Sequence, residues 1–281
     1  MFGSLSGDIL IVLFTISIIF LFLTCTYYVI LMIKSQSSAT QPNQSKFAVP
    51  YYEISYEKFF QFGLSVDCVV FGYHDSKLKV LLIKRGAAPF MGDWALPGDL
   101  VYPNEDIDVA ARRILKDLTG IGNLFMEQTK VYGKVDRHPA GRVITTGYYS
   151  LIDIAKHDPH ASAWADGVYW MDVKECPSLA FDHDEILKDA LQLLQERVRR
   201  KPVGFELIPG KFALGELQML YEALLNENYD KANFRKRILS MNLLVSLREN
   251  QKDVAHRPAR LYAFDKKRYD ELIAKGFSFE L

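Results

Sequence analysis

The longest uncharged stretch of the chain, which is predominantly apolar, lies close to its N-terminus. Residues 9–33 contain no charged side chain, and a helix of that length crosses the hydrocarbon core of a bilayer. Lys34 follows the stretch and Asp8 precedes it. Because positive flanks stay on the cytoplasmic side, we predict one N-terminal transmembrane helix, single-pass, with the C-terminal domains in the cytoplasm. A cleaved signal peptide is the alternative, but the stretch is too long and lacks a preceding basic residue.

A polar segment follows this predicted anchor, which we assign to residues 1–34. Residues 35–45 read SQSSATQPNQS, without apolar periodicity and with one proline. Such composition is typical of a flexible tether. We therefore predict a linker over residues 35–55.

Strand-like and helical patterns alternate between residues 56 and 180. The strand-like runs are short, apolar and β-branched, and they lie at residues 66–71, 78–83, 143–152 and 167–171. The first two flank a polar turn and predict a β-hairpin. Residues 108–118 carry apolar side chains at helical spacing before Gly120, which predicts an amphipathic helix. A second amphipathic helix, at residues 184–200, predicts a joint over residues 181–203 to a further domain.

The pattern changes from residue 204 to the C-terminus. Residues 214–225 carry a stripe of apolar side chains that predicts an amphipathic helix. Asp230, a favourable N-cap, precedes a second predicted helix at residues 231–241. The side chains of that helix predicted to point inward are Phe234, Ile238 and Leu239. Two strand-like runs joined by a polar loop follow, at residues 243–247 and 259–264. We predict a winged helix-turn-helix domain over residues 204–281.

Charge indicates what this C-terminal domain contacts. The whole chain has 34 basic and 34 acidic residues and no net charge, so any nucleic-acid surface must be local. Residues 231–260 carry eight basic side chains against two acidic ones, a net of +6. Basic residues on a second helix and a wing suit phosphate contacts and entry into the major groove. The predicted DNA-binding residues are Lys231, Arg235, Lys236, Arg237, Arg257 and Arg260. A winged helix that contacts protein through a solvated basic face is the alternative.

A spaced motif lies in the first domain. Residues 94–101 read WALPGDLV, and Glu105, Arg113 and Gly120 follow at intervals. This resembles the Nudix box, G-x5-E-x7-R-E-U-x-E-E-x-G-U, with its spacing intact. Asp99 stands where the family has the box glycine, which is costly if that position requires a glycine-only backbone conformation.

Two further segments resemble the same family. Residues 80–85, VLLIKR, resemble the strand before the box, and residues 136–144, DRHPAGRVI, resemble the ADP-ribose-type branch. The resemblance covers residues 56–180. It implies an α/β (α+β) fold, a Nudix-like α/β/α sandwich with a mixed sheet.

The chemistry of the box is altered. In an active Nudix enzyme, glutamates on one helical face hold divalent metal ions that bridge a diphosphate and activate water. The corresponding positions here are Ile114, Asp117 and Leu118. Two apolar side chains cannot ligate a hydrated magnesium ion, so we expect no catalytic residues, no metal and no cofactor. The residual box residues are Glu105, Arg113 and Asp117. Glutamates restored at positions 114 and 118 offer a route back to turnover.

A hydrolase remains the alternative function. A Nudix hydrolase that acts on ADP-ribose-like nucleoside diphosphates would need Mg²⁺ in a reconfigured metal site. On either view the pocket can bind a phosphorylated or sugar ligand. The predicted ligand-binding residues are Arg85, Arg137 and Arg142, since guanidinium groups match phosphate oxygens bidentately. Surface arginines in ordinary ion pairs are the alternative for each of the three.

The C-terminal tail resembles that of the Nudix-related transcriptional regulators. The matching segments are ELIP at 206–209, FAL at 212–214, NFRK at 233–236 and RPARLY at 257–262. The resemblance implies a homodimer, operator DNA and a metabolite effector such as ADP-ribose, a nucleotide sugar or a sugar. We predict a membrane-anchored, ligand-sensing transcriptional regulator, or else a membrane sensor whose winged helix contacts protein.

Overall fold

The computed structural model describes residues 62–252 and 257–281. The predicted transmembrane segment and the predicted linker both lie outside these ranges. Within them, no helix combines the length and the apolar character needed to cross a membrane.

A mixed sheet of seven strands forms the centre of the first domain. The strands are β1 (Gly63–His74), β2 (Lys77–Arg85), β3 (Trp94–Ala95), β4 (Gly98–Leu100), β5 (Glu127–Tyr132), β6 (Val143–Asp153) and β7 (Ala165–Asp172). Their order is β3-β2-β1-β6-β5, with β4 also beside β1 and β7 beside β2. β1 pairs with β6 in parallel, and the other described pairings are antiparallel.

The predicted β-hairpin is confirmed as β1 and β2. Its loop consists of Asp75 and Ser76, whose φ angles are 49° and 58°. Two successive positive φ angles give a turn whose twist matches that of the flanking strands. An aspartate and a serine tolerate this conformation better than β-branched residues do, and so the polar turn sets the register of the hairpin.

Helices cover both faces of the sheet. On one face, α1 (Ile107–Thr119) buries Ile114, Leu115 and Leu118 against the sheet. On the other face lies α2 (His183–Arg200), which buries Ile186 and Leu194. The predicted α/β/α sandwich with a mixed sheet is therefore confirmed. Gly120 ends α1 with a φ of 72°, as expected of a glycine after the last helical turn.

The C-terminal domain has the predicted winged-helix elements. They are β8 (Phe212–Ala213), α3 (Leu214–Leu225), α4 (Lys231–Ser240), β9 (Leu244–Asn250), β10 (Arg260–Phe264) and a further helix, α5 (Lys266–Ile273). The three strands form a sheet of order β8-β10-β9. Short 3-10 turns occur at Ile154–Lys156, Val173–Glu175 and Val203–Glu206.

Helix α4 begins as predicted but buries fewer side chains. The carboxylate of Asp230 accepts a hydrogen bond from the Asn233 amide at 2.9 Å, which caps the helix. Phe234 and Ile238 are buried, as expected. The prediction that Leu239 points inward is wrong, because this side chain is 37% exposed. The helix is short, and the side of it that is buried carries only Phe234 and Ile238, which are four residues apart.

Helix α2 joins the two domains through a continuous apolar core. That core combines side chains of the sheet, of α2 and of α3, among them Val69, Phe71, Ile186, Leu194, Leu217 and Tyr221. Two ion pairs near the end of α2 reach both sides, from Arg197 to Glu127 on β5 and from Arg199 to Glu227 after α3. The predicted joint between the domains therefore contributes side chains to the core that the two domains share.

Candidate functional site: a ligand cleft and a basic groove

A cleft of about 670 Å³ opens at one edge of the Nudix-like sheet. All three predicted ligand-binding arginines line it: Arg85 at the end of β2, and Arg137 and Arg142 in the segment between β5 and β6. The carboxylates that line the cleft belong to Asp67 on β1 and Asp99 on β4. A cleft that mixes fixed cations with carboxylates is suited to a polar, anionic small molecule.

The guanidinium group of Arg137 lies buried between two carboxylates. Its Nε and Nη2 donate to Asp182 Oδ2 and Oδ1 at 2.9 and 2.7 Å. Its Nη2 also lies 3.3 Å from Asp67 Oδ2. Only 8% of the residue is exposed. Such pairing holds the cation in one geometry, because a bidentate contact restricts both position and orientation.

Asp67 is held from its other side by His183. The Nδ1 atom of His183 accepts a hydrogen bond from the Leu96 amide at 3.0 Å, so its Nε2 carries the proton and donates to Asp67 Oδ1 at 3.3 Å. Burial opposes ionisation of Asp67, but the influence of His183 and Arg137 prevails and holds the pKa of this carboxyl below its usual range. Gly98 is required beside it, since a Cβ atom there would lie 1.9 Å from Asp67 Oδ1.

Arg85 is equally buried but is held by a carbonyl group and two aromatic rings. Its Nε donates to the Pro89 carbonyl at 2.8 Å, and its guanidinium lies 4.7 Å from the Trp164 ring and 5.0 Å from the Phe181 ring. Across the described ranges, no carboxylate oxygen comes within ion-pair distance of it. Burial lowers the pKa of this group, and a bound anion would compensate for the charge.

Two further side chains complete the arginine side of the cleft. Arg142 is partly exposed and donates from Nη1 to the Gly133 carbonyl at 2.6 Å. His138 stacks on Phe181 with ring centroids 5.2 Å apart. Burial, together with the neighbouring Arg137 and Arg85, lowers the pKa of His138. The ring is therefore neutral at pH 7 and offers a flat aromatic surface to a ligand.

The residual box residues bind one another rather than facing the cleft. Arg113 donates from Nε and Nη2 to Glu105 at 2.8 and 2.5 Å, and its Nη1 lies 3.6 Å from Asp117. Ile114 and Leu118 are buried in the core, at 0% and 1% exposure. In the described part of the chain, no group of three or more His, Cys, Asp or Glu side chains is arranged to hold a metal ion. Two of the three positions that carry metal ligands in active enzymes are therefore packed against the sheet, and the third, Asp117, is half exposed.

Asp99 does not strain the backbone. It lies in β4, and it is not among the residues with positive φ. The concern that an aspartate is costly at the box glycine position therefore does not apply here.

A second concave surface lies in the winged-helix domain. This groove, of about 500 Å³, runs between the starts of α3 and α4 and the two strands of the wing. Four of the six predicted DNA-binding residues line it, and all four are exposed: Lys231, Arg235, Arg257 and Arg260. The wing and the helix thus present their cations to the same space.

The remaining two predicted residues lie elsewhere on α4. Arg237 is about 200° around the helix from Arg235, and Lys236 is about 100° from it. The Nε of Arg237 donates to the Glu280 carbonyl at 3.1 Å. Arg237 therefore faces the C-terminal segment and not the groove.

Sequence reasoning missed Asp67 and His183, which line the cleft, and Asp182, which pairs with Arg137. One signal was available for the first of them. Asp67 interrupts an apolar β-branched run, and a carboxylate within a buried strand requires a partner. The partners themselves lie 70 and 116 residues away, at Arg137 and His183, and no local pattern connects them.

The fold and the cleft place this protein in the class of two-domain proteins that join a Nudix sandwich to a winged helix. Comparison with known protein families supports the assignment of each domain. The NUDIX domain family matches residues 61–211, and the NrtR DNA-binding winged helix domain family matches residues 204–264. The chain belongs to the NrtR-like family, in which a NUDIX domain precedes this type of winged helix.

Individual relatives cover most of the chain. The "ADPR responsive transcriptional repressor NtrR" of Acinetobacter baylyi is 32% identical over 74% of this chain and 84% of its own length. The crystal structure of Shewanella oneidensis NrtR complexed with a 27mer DNA matches with a TM-score of 0.56 and 30% identity, over 72% of this chain and 93% of that one. An ADP-ribose pyrophosphatase of Methanocaldococcus jannaschii is 36% identical over 41% of this chain and 66% of its own length.

Proposed function

We propose that this protein is an ADP-ribose-responsive transcriptional regulator whose Nudix domain binds its effector without hydrolysing it. One observation carries the proposal: the cleft keeps its buried arginines, while Ile114 and Leu118 are core side chains at two metal-ligand positions. Ligand binding needs the arginines, and hydrolysis needs the metal. The A. baylyi relative is described as an ADPR responsive repressor, which supports ADP-ribose as the effector.

Operator DNA is the proposed partner of the basic groove. Lys231 and Arg235 on α4 and Arg257 and Arg260 near the wing carry four positive charges into one space. Phosphate contacts of this kind supply affinity without reading sequence. The S. oneidensis relative was crystallised with a 27mer DNA, which supports the same use of this winged helix.

Helix α2 offers a physical route from the cleft to the groove. Asp182, the residue before its first turn, forms the bidentate pair with Arg137. A ligand phosphate that binds Arg137 competes with Asp182 for the same guanidinium group, which changes what holds the start of α2. The other end of the helix is tied to the winged helix by the pair of Arg199 and Glu227. Both ligands can therefore bias the position of one rigid element.

Two measurements on the purified full-length chain test this function. Calorimetry with ADP-ribose and Mg²⁺, followed by chromatography of the ligand, should give binding with the ADP-ribose recovered intact. Steady Mg²⁺-dependent release of AMP would favour the hydrolase instead, to which the M. jannaschii likeness also points. Fluorescence anisotropy with duplexes from upstream of its own gene should give DNA binding that weakens with salt. Absence of DNA binding at low salt would favour a winged helix that contacts protein.

Membrane anchoring and dimerisation belong to the same proposal. The uncharged apolar residues 9–33 support a single-pass anchor with both domains on the cytoplasmic side. The expected result is a chain that stays in the membrane fraction after alkaline extraction, and recovery in the soluble fraction would contradict it. A homodimer is proposed from the likeness to Nudix-related regulators. Light scattering of the detergent-solubilised chain should give twice the mass of one chain, and a monomer mass would refute the dimer.

A further inference from the structure

Asp99 occupies a defined position on the wall of the cleft. Its Oδ2 accepts a hydrogen bond from the indole Nε1 of Trp164 at 3.2 Å, and its Oδ1 accepts from the Leu100 amide at 2.7 Å. The same indole ring lies 4.7 Å from the guanidinium of Arg85. Trp164 thus holds the carboxylate of Asp99 beside the cation of Arg85, with one group on its edge and the other over its face.

The two carboxylates that line the cleft differ in how many hydrogen-bond acceptor positions they leave open to a ligand. Asp67 is 5% exposed and already engages Arg137 and His183. Asp99 is partly exposed, and no ion pair involves it within the described ranges. A carboxylate has about four acceptor positions, of which Asp99 uses two. Because an ionised carboxylate only accepts hydrogen bonds, its occupant must be a donor, and a phosphate there would be repelled.

We propose that Asp99 binds adjacent hydroxyl groups of a sugar ring in the ligand, while the arginines bind its phosphates. A ribosyl phosphate carries hydroxyl donors at one end and an anion at the other. This matches the carboxylate of Asp99 at the edge of the Trp164 ring and the guanidinium of Arg85 over its face. An acidic side chain that accepts from ribose hydroxyls is a common solution in nucleotide sites. The inference rests on the proposed function and adds to it a residue that selects sugar-containing phosphates over phosphates alone.

The test compares Asp99→Asn and Asp99→Gly with the wild-type full-length chain by calorimetry, using ADP-ribose and inorganic pyrophosphate. Loss of a hydrogen bond to a charged acceptor is expected to weaken ADP-ribose binding about tenfold or more. Pyrophosphate, which has no hydroxyl for Asp99 to accept from, should bind both variants as tightly as the wild type or more tightly. Asp106→Asn is the matched control, since this exposed aspartate lies outside the cleft lining, and it should leave both affinities unchanged.

A second ligand pair locates the contact on the sugar. Wild type should prefer ribose 5-phosphate to 2-deoxyribose 5-phosphate, and the Asp99 variants should lose that preference. Equal weakening of ADP-ribose and pyrophosphate would overturn the inference, because Asp99 would then only position Trp164 and Arg85. Unchanged ADP-ribose affinity in both variants would also overturn it while leaving the proposed function intact. A wild-type chain that binds none of these ligands would instead contradict the proposed function, and this inference with it.

Discussion

The two domains hold their charges in opposite ways. In the Nudix cleft, Arg85 and Arg137 are each 8% exposed and are fixed by carbonyl or carboxylate partners. In the groove of the winged helix, Lys231 and Arg235 are exposed at the start of α4. Buried, fixed cations favour one ligand geometry, whereas exposed cations attract any phosphate backbone and are screened by salt. The difference is the one expected of the two proposed roles, a selective ligand site in the Nudix domain and an electrostatic DNA surface in the winged helix.

The largest loss of stability should come from introducing charged side chains into the apolar core of the Nudix domain. We expect the double substitution Ile114→Glu with Leu118→Glu to destabilise the chain by more than about 4 kcal/mol, because both positions are buried in the apolar core. For the same reason, we now expect glutamates at positions 114 and 118 to destabilise the fold rather than to recover turnover. Urea unfolding followed by circular dichroism measures the loss. Asp117→Glu, on the exposed side of α1, is the control and should be nearly neutral.

Removal of a charge from the cleft should cost somewhat less. Arg137→Ala leaves Asp67 and Asp182 without their shared cation and should lower the free energy of unfolding by about 3 to 5 kcal/mol. Arg142→Ala is the matched control. Its partner is a carbonyl at a partly exposed position, so the same urea experiment should give a loss of about 1 kcal/mol or less. Equal losses for the two variants would contradict the distinction between buried and exposed cations.

The pKa of Asp67 makes part of this stability depend on pH. A carboxyl whose folded pKa lies below its unfolded value, about 3.9, contributes its full stabilisation above that value and loses it as pH falls through the folded pKa. The difference in unfolding free energy between wild type and Asp67→Asn should therefore be constant above about pH 5 and shrink below about pH 4. A difference that grows on acidification would mean that the pKa is raised.

The groove should respond in DNA affinity and not in stability. Arg235→Ala should change the free energy of unfolding by less than about 0.5 kcal/mol, since the side chain is exposed. If it contacts a phosphate, the slope of log affinity against log salt should decrease by about one unit. Arg237→Ala is the control, because this side chain faces the Glu280 carbonyl. An anisotropy titration at several salt concentrations that gives both variants one slope would refute the assignment of the groove.

The sequence predicts the elements whose signals are local. The β1–β2 hairpin, α1, α3 and the cap of α4 each follow from a few neighbouring residues. Strand β5 was missed because three of its six residues are exposed and its one buried residue, Tyr132, gives no alternation. The strands β3 and β4, of two and three residues, are too short to carry a periodic pattern.

The candidate site is less predictable than the fold. The three arginines follow from the family resemblance, but their different environments depend on contacts distant in sequence. Arg137 meets Asp67 and Asp182 only because the start of α2 lies beside β1 in the folded chain. Asp99 is a similar case. The Nudix box shows only that an aspartate replaces the usual glycine, whereas the hydrogen bond from Trp164, 65 residues away, places its carboxylate on the wall of the cleft.

The proposed coupling between the cleft and the basic groove can be measured by reciprocal titration. The affinity of the full-length chain for its upstream duplex is measured at increasing ADP-ribose, and its affinity for ADP-ribose is measured at saturating duplex. Because linkage between two sites is reciprocal, both affinities should change by the same factor, about fivefold or more, with the ADP-ribose recovered intact. Two affinities that do not depend on each other, or ADP-ribose consumed during the titration, would contradict it.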